Sequence, residues 1–117
     1  MSALIATSLP AAADSVNSYP RVEFDVLYKT HSRRDGAKVR VKGVLHRGSS
    51  DEGTLRKDSF SLGRLIHVHF ENLDSNTRKQ IYNFCRPECE IEIGGIFKDQ
   101  SVGNTFGSIE LKAANIH

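Results

Sequence analysis

Between Glu88 and Lys98 the chain reads ECEIEIGGIFK, and few structures other than a bent, half-buried β-strand fit that pattern. Cys89, Ile91 and Ile93 alternate with Glu88, Glu90 and Glu92. Period-two alternation sends the two sets to opposite faces of a strand. Gly94-Gly95 then breaks the run before Ile96-Phe97 resumes it, which marks a bend or bulge. Residues 107–117, GSIELKAANIH, alternate again, with Ile109, Leu111 and Ala113 opposed to Glu110 and Lys112. Residues 99–106 between them, DQSVGNTF, contain Gly103 and Asn104 and read as a hairpin loop. A bent strand, a polar loop and a closing strand suit a small, curled antiparallel barrel.

The rest of the chain supplies the other walls. Residues 1–18 are small and polar, with no basic n-region, no arginine and an interrupting Pro10. They read as a flexible tail ahead of a single domain at 19–117, and fit neither a signal peptide nor a mitochondrial presequence. Residues 22–29 alternate Val22, Phe24, Val26 and Tyr28 with Glu23, Asp25, Leu27 and Lys29, and read as a strand with one wet face. Asp35-Gly36 signals the turn that follows. Lys38 to Arg47 is the clearest strand of the first half. Val39 and Val41 face in, Lys38, Arg40 and Lys42 face out, and Gly43 permits a bend. Residues 48–58 read as a mobile loop carrying Arg56 and Lys57, and 59–62 as a short strand burying Phe60 and Leu62. In 65–71, Ile66, Val68 and Phe70 take one face and His67 and His69 the other. Asp74 or Ser75 caps a helix over 76–85 with a buried stripe of Ile81, Phe84 and Cys85, and Pro87 ends it.

With 117 residues there is material for one core. No stretch approaches the roughly 18 consecutive apolar residues that a membrane span needs, so no membrane partner is expected. The net charge is only +2, but residues 21–47 hold eight bases against three acids. That local excess is a reasonable footprint for a phosphate backbone, although a solvated charged face gives the same count. The two cysteines, Cys85 and Cys89, fall in stretches that read as buried, and are expected to be reduced thiols of an intracellular protein.

Five strands with the helix between the third and fourth, and glycine bends in the first and fourth, resemble the OB-fold, a five-stranded Greek-key barrel. The resemblance rests on VRVKGVL at 39–45, the helix at 76–85, EIEIGGIFK at 90–98 and GSIELKAANI at 107–116. The strand at 22–30 is then an addition that extends the sheet or covers its edge, or else it is the true first strand, with 38–47 the second. Among such proteins the pattern is most similar to small eukaryotic OB subunits of complexes that handle single-stranded DNA: the smallest replication protein A subunit and the Ten1-like and Rmi2-like partners. The resemblance implies an accessory subunit in DNA replication, repair or telomere maintenance, located in the nucleus. Its implied partners are single-stranded DNA or RNA and a larger OB-containing protein.

OB barrels bind across their second and third strands and the loops beside them. The outward groups expected there are Arg40, Lys42, Arg56, Lys57, Arg64, His67 and His69, with Phe106 and Tyr28 as stacking platforms. The shortage of exposed aromatics leaves a second reading open, an adaptor that binds protein and touches nucleic acid little. His67 and His69 share a strand face and with Cys85 and Cys89 would make a Cys2His2 zinc set, but the C-x3-C spacing across a proline is a poor knuckle. No metal or other cofactor is expected. No nucleophile elbow or P-loop is present, so the chain does not read as an enzyme.

Overall fold

The computed structural model describes residues 15–49, 51–60 and 63–116. A 3-10 turn at Val16–Ser18 leads to helix α1 (Phe24–Lys29) and a second 3-10 turn at His31–Arg33. Strands β1 (Lys38–Arg47), β2 (Glu52–Arg56) and β3 (Leu65–His69) follow, then helix α2 (Ser75–Phe84), and finally β4 (Glu88–Val102) and β5 (Thr105–Ile116). The strands close a barrel in the order β1-β2-β3-β5-β4. Every pairing is antiparallel except β3 with β5, which is parallel. Five strands in this order, with a helix between the third and fourth, make an OB-fold barrel.

The alternation places the core as expected along β1, β3, β4 and β5. Val39, Val41, Ile66, Val68, Ile91, Ile93, Ile109 and Leu111 are all fully buried. The register of β4 against β5 shifts between Gly94 and Gly95. A side chain on Gly94 would strike the Tyr19 ring at 2.8 Å. The bulge therefore bends the long strand and lets Tyr19 lie against it. Gly36 and Gly103 take positive φ, 80° and 62°, in turns. The hairpin loop expected over 99–106 shrinks to Gly103-Asn104, because β4 runs to Val102 and β5 begins at Thr105.

The structure departs from the sequence expectations in several elements. Residues 22–30 hold no strand: α1 buries Phe24 and Leu27, while Val26 is 43% exposed. Strand alternation puts Leu27 on the wet face, but it follows Phe24 by three residues and belongs to a helical stripe with Tyr28. Phe24 and Tyr28 meet Phe106 edge-on at 5.7 and 5.1 Å, and together they fill the barrel where β5 begins. Residues 48–58 are not a loop throughout, because β2 occupies 52–56 with Gly53 and Leu55 facing in. Phe60 lies in a turn and is 90% exposed, so the expected strand at 59–62 is absent over its described part. The burial expected of Leu62 lies outside the described residues. On α2, capped by Asp74 as expected, Ile81 is buried, but Phe84 points to solvent at 67% exposure.

The segment before α1 is also built into the barrel. Val16 packs with Tyr19 and Ala113, so residues 16–18 of the expected tail lie against the barrel, and its residues 1–14 lie outside the described residues. The Arg40 N–H donates to the Pro20 carbonyl (2.7 Å), and the Val22 N–H to the Arg40 carbonyl (2.8 Å). Residues 20–22 thus cover β1 where it has parted from β2, which pairs only with 44–47. Cys85 and Cys89 form a disulfide rather than free thiols. The Arg86-Pro87 turn folds the helix end back on the start of β4, bringing the two Cα atoms to 4.6 Å, within bridging range.

Candidate nucleic-acid interface

The outer face of β2 and β3 is the surface on which OB barrels hold ligands. Here Glu52 stands opposite His69, and Thr54 opposite His67. Glu52 Oε1 lies 2.8 Å from His67 Nε2, and the two imidazole rings have centroids 4.3 Å apart. Arg56 is at the other end of β2, its guanidinium 3.5 Å from the Glu88 carboxylate and mostly covered. This face therefore carries an imidazole–carboxylate group, not a row of free cations and rings.

The cations gather to one side. α1, β1 and the segment joining β2 to β3 enclose a cleft of about 490 Å³, whose lining includes Lys42, Lys57, Asp25, Phe60 and Glu90. A second hollow of about 270 Å³ shares Phe24, Asp25 and Lys57 and adds Arg64. Lys57 Nζ donates to Asp25 Oδ2 at 2.7 Å. That hydrogen bond holds the Asp25 carboxyl below the usual carboxylate range and raises the Lys57 ammonium. Arg64 lies 4.0 Å from the same carboxylate, with its guanidinium 4.2 Å from the Tyr28 ring centroid. Asp25 thus positions two cations, both about half exposed. Such pairs are worth little to stability in water.

Of the expected residues, Lys42, Lys57 and Arg64 border these connected hollows, and His67 and His69 stand together on the barrel face. Three are placed differently. Arg56 is mostly covered and paired with Glu88. Arg40 is half-buried beneath the N-terminal segment: its Nη1 donates to Asn17 Oδ1 at 2.8 Å, and its Nε lies 3.8 Å from Glu92. It is a tether of that segment rather than a free phosphate ligand. Phe106 is 5% exposed and caps the core against Phe24, Tyr28 and Phe97, so it offers no stacking face. The exposed ring on the cleft is Phe60, which the alternation with Leu62 marks as buried. The Cys2His2 zinc set, already disfavoured by its spacing, is not available in this state, since the Cys85 and Cys89 thiols are bonded to each other.

Strand order, helix position and barrel closure define an OB-fold protein. Solved structures agree on the fold. The E. coli protein YgiW matches at a TM-score of 0.50 and 18% identity, over 86% of this chain and 92% of its own. An asparaginyl-tRNA synthetase from Pyrococcus horikoshii, complexed with asparaginyl-adenylate, matches at 0.53 and 18%, over 72% of this chain but 20% of its own. A protein assigned as an aspartyl-tRNA synthetase from Leishmania major Friedlin matches at 0.57 and 11%, over 90% of this chain and 23% of its own. No family model matches the chain, and no curated protein does.

Proposed function

We propose that the chain is a single-stranded nucleic-acid-binding OB module, working through the cleft between α1, β1 and the β2–β3 connection. The observation that carries this reading is Phe60, 90% exposed on a cleft that it shares with Lys42 and Lys57. A ring in solvent beside ammonium groups suits a base stacked on the ring and phosphates held by the cations. Asp25 and Glu90 line the same cleft and oppose a polyanion, which fits weak binding and an accessory role. Membership of a DNA replication, repair or telomere-maintenance complex is the finer form of the proposal and rests on the sequence resemblance. A nuclear setting goes with it. The Cys85–Cys89 bond counts against that setting, because disulfides persist mainly in oxidising compartments.

The test is fluorescence anisotropy with short DNA and RNA oligonucleotides at about 50 mM salt, where phosphate contacts are least screened. Binding should weaken as salt rises, and Lys42→Glu with Lys57→Glu should flatten the log–log salt slope by about 0.7 per lost contact. Absence of binding by the wild type, or equal binding by the double variant, would reject the reading. The second reading, a protein–protein adaptor for a larger OB-containing subunit, is favoured by how many cations already have acids: Lys57 with Asp25, Arg56 with Glu88, Arg40 with Glu92. A mobility shift that needs such a partner would support it.

A further inference from the structure

We propose that Glu52, His67 and His69 form a binding site for a divalent transition cation of the zinc type on the outer face of β2 and β3. This site lies apart from the cleft described above and does not depend on nucleic-acid binding.

One ligand atom from each residue lies within 4.8 Å of the other two. The backbone fixes that grouping. His67 and His69 are two apart on β3 and so share a face, and Glu52 is the direct cross-strand partner of His69. Ligand atoms around one tetrahedral zinc, bonded at about 2.0–2.2 Å, lie roughly 3.3 Å apart. Glu52 Oε1 and His67 Nε2, already at 2.8 Å, need only small side-chain rotations to take an ion in place of the shared proton. The donor set also suits the metal: two neutral imidazoles and one carboxylate are borderline ligands that zinc-type ions accept, whereas calcium and magnesium favour oxygen alone. Three protein ligands leave one coordination position for water or for a group on another molecule. A hollow of about 280 Å³ adjoins the group, lined by Glu52 and His67 and by His46 from β1, leaving room for that fourth ligand. A salt bridge alone accounts for Glu52 and His67, but it does not account for the second imidazole, whose ring centroid lies 4.3 Å from that of His67.

The test is isothermal titration of the full chain, disulfide intact, with zinc chloride in a non-coordinating buffer. The expected result is one ion per chain with micromolar affinity. Glu52→Gln, His67→Asn and His69→Asn should each weaken it at least about ten-fold, the loss seen even when only a ligand's outer partner is removed. His31→Asn and the Cys85→Ser, Cys89→Ser pair should leave it unchanged, since neither site contributes a ligand. Cobalt bound to the wild type should show visible absorption typical of a low-coordinate nitrogen–oxygen site. No zinc binding by the wild type, or binding that the three ligand variants leave intact, would overturn the proposal. So would loss of binding in the cysteine pair with its fold retained by circular dichroism.

Discussion

The guanidinium of Arg47 lies 3.9 Å from the ring centroid of Tyr82, joining the end of β1 to the solvent side of α2. A cation over an aromatic face contributes about 0.5–1 kcal/mol at exposed sites. Tyr82→Ala should therefore lower the urea midpoint by an amount equivalent to about 1 kcal/mol, while Tyr82→Phe, which keeps the ring, should stay near wild type. Equal midpoints for all three would show that the contact contributes nothing.

Leu27 separates a helix at 24–29 from the strand that the alternation suggests. Buried as it is, Leu27→Ala should cost about 2–5 kcal/mol in chemical denaturation. Val26→Ala, at a half-exposed position, should cost little. The reverse ranking would restore the strand.

At the β4 bulge, a methyl group on Gly95 would collide with the Glu110 carbonyl oxygen and come within 2.9 Å of the Ile109 side chain. Gly95→Ala should lose about 1–3 kcal/mol, the usual scale of overpacking. Gly48→Ala is the control, because its new carbon would meet only the Glu52 carbonyl at an ordinary 3.5 Å. A Gly95→Ala protein melting with the control would mean that the bulge yields.

Asp74 caps α2, accepting from the Thr77 hydroxyl at 2.7 Å and the Thr77 N–H at 3.1 Å. The hydroxyl contact is the main reason its carboxyl titrates below the usual range. A carboxyl depressed in the folded state stabilises at pH values above its unfolded pKa, and that stability fades as pH falls toward the folded value. Asp74→Ala should thus cost about 1 kcal/mol at neutral pH. The gap from wild type should narrow below about pH 4, where the unfolded carboxyl becomes protonated. A gap constant from pH 7 to 3 would assign the cost to something other than the charged cap.

Phe60→Ala should leave the melting temperature unchanged, since the ring is almost wholly in solvent. If a base stacks there, oligonucleotide affinity should fall by about 1–3 kcal/mol, measured by anisotropy. Unchanged affinity would remove Phe60 from the interface.

Most of the barrel was legible because its walls obey the simplest rule. Ile91 and Ile93, and Ile109 and Leu111, are inward residues separated by polar outward ones, and all four are buried. β2 was hidden because its inward positions are Gly53 and Leu55, a single large apolar residue that sets no period. Residues 22–29 satisfy periods of two and of 3.6 alike over so short a run, and only tertiary burial of Leu27 decides between them. Local pattern also cannot count neighbours. Phe60 and Phe84 read as core but have nothing to pack beneath, while Phe106 read as surface because it begins a strand after a polar loop, yet it is enclosed by rings from α1 and β4. Of the candidate site, the basic residues could be named from sequence. Their acids, above all Asp25 and Glu52, could not, because the pairings join residues 32 and 15 positions apart.

The backbone bonds from Pro20 and Val22 to Arg40 occupy the stretch of β1 that β2 leaves bare. In an open sheet such a row of unpaired amides would be a template on which a foreign strand, or a second copy of the chain, grows by simple addition. This chain blocks that template with its own N-terminal segment, and the barrel closes the remaining strands on one another. A foreign strand pairing along this edge would first have to displace the chain's own segment at Arg40.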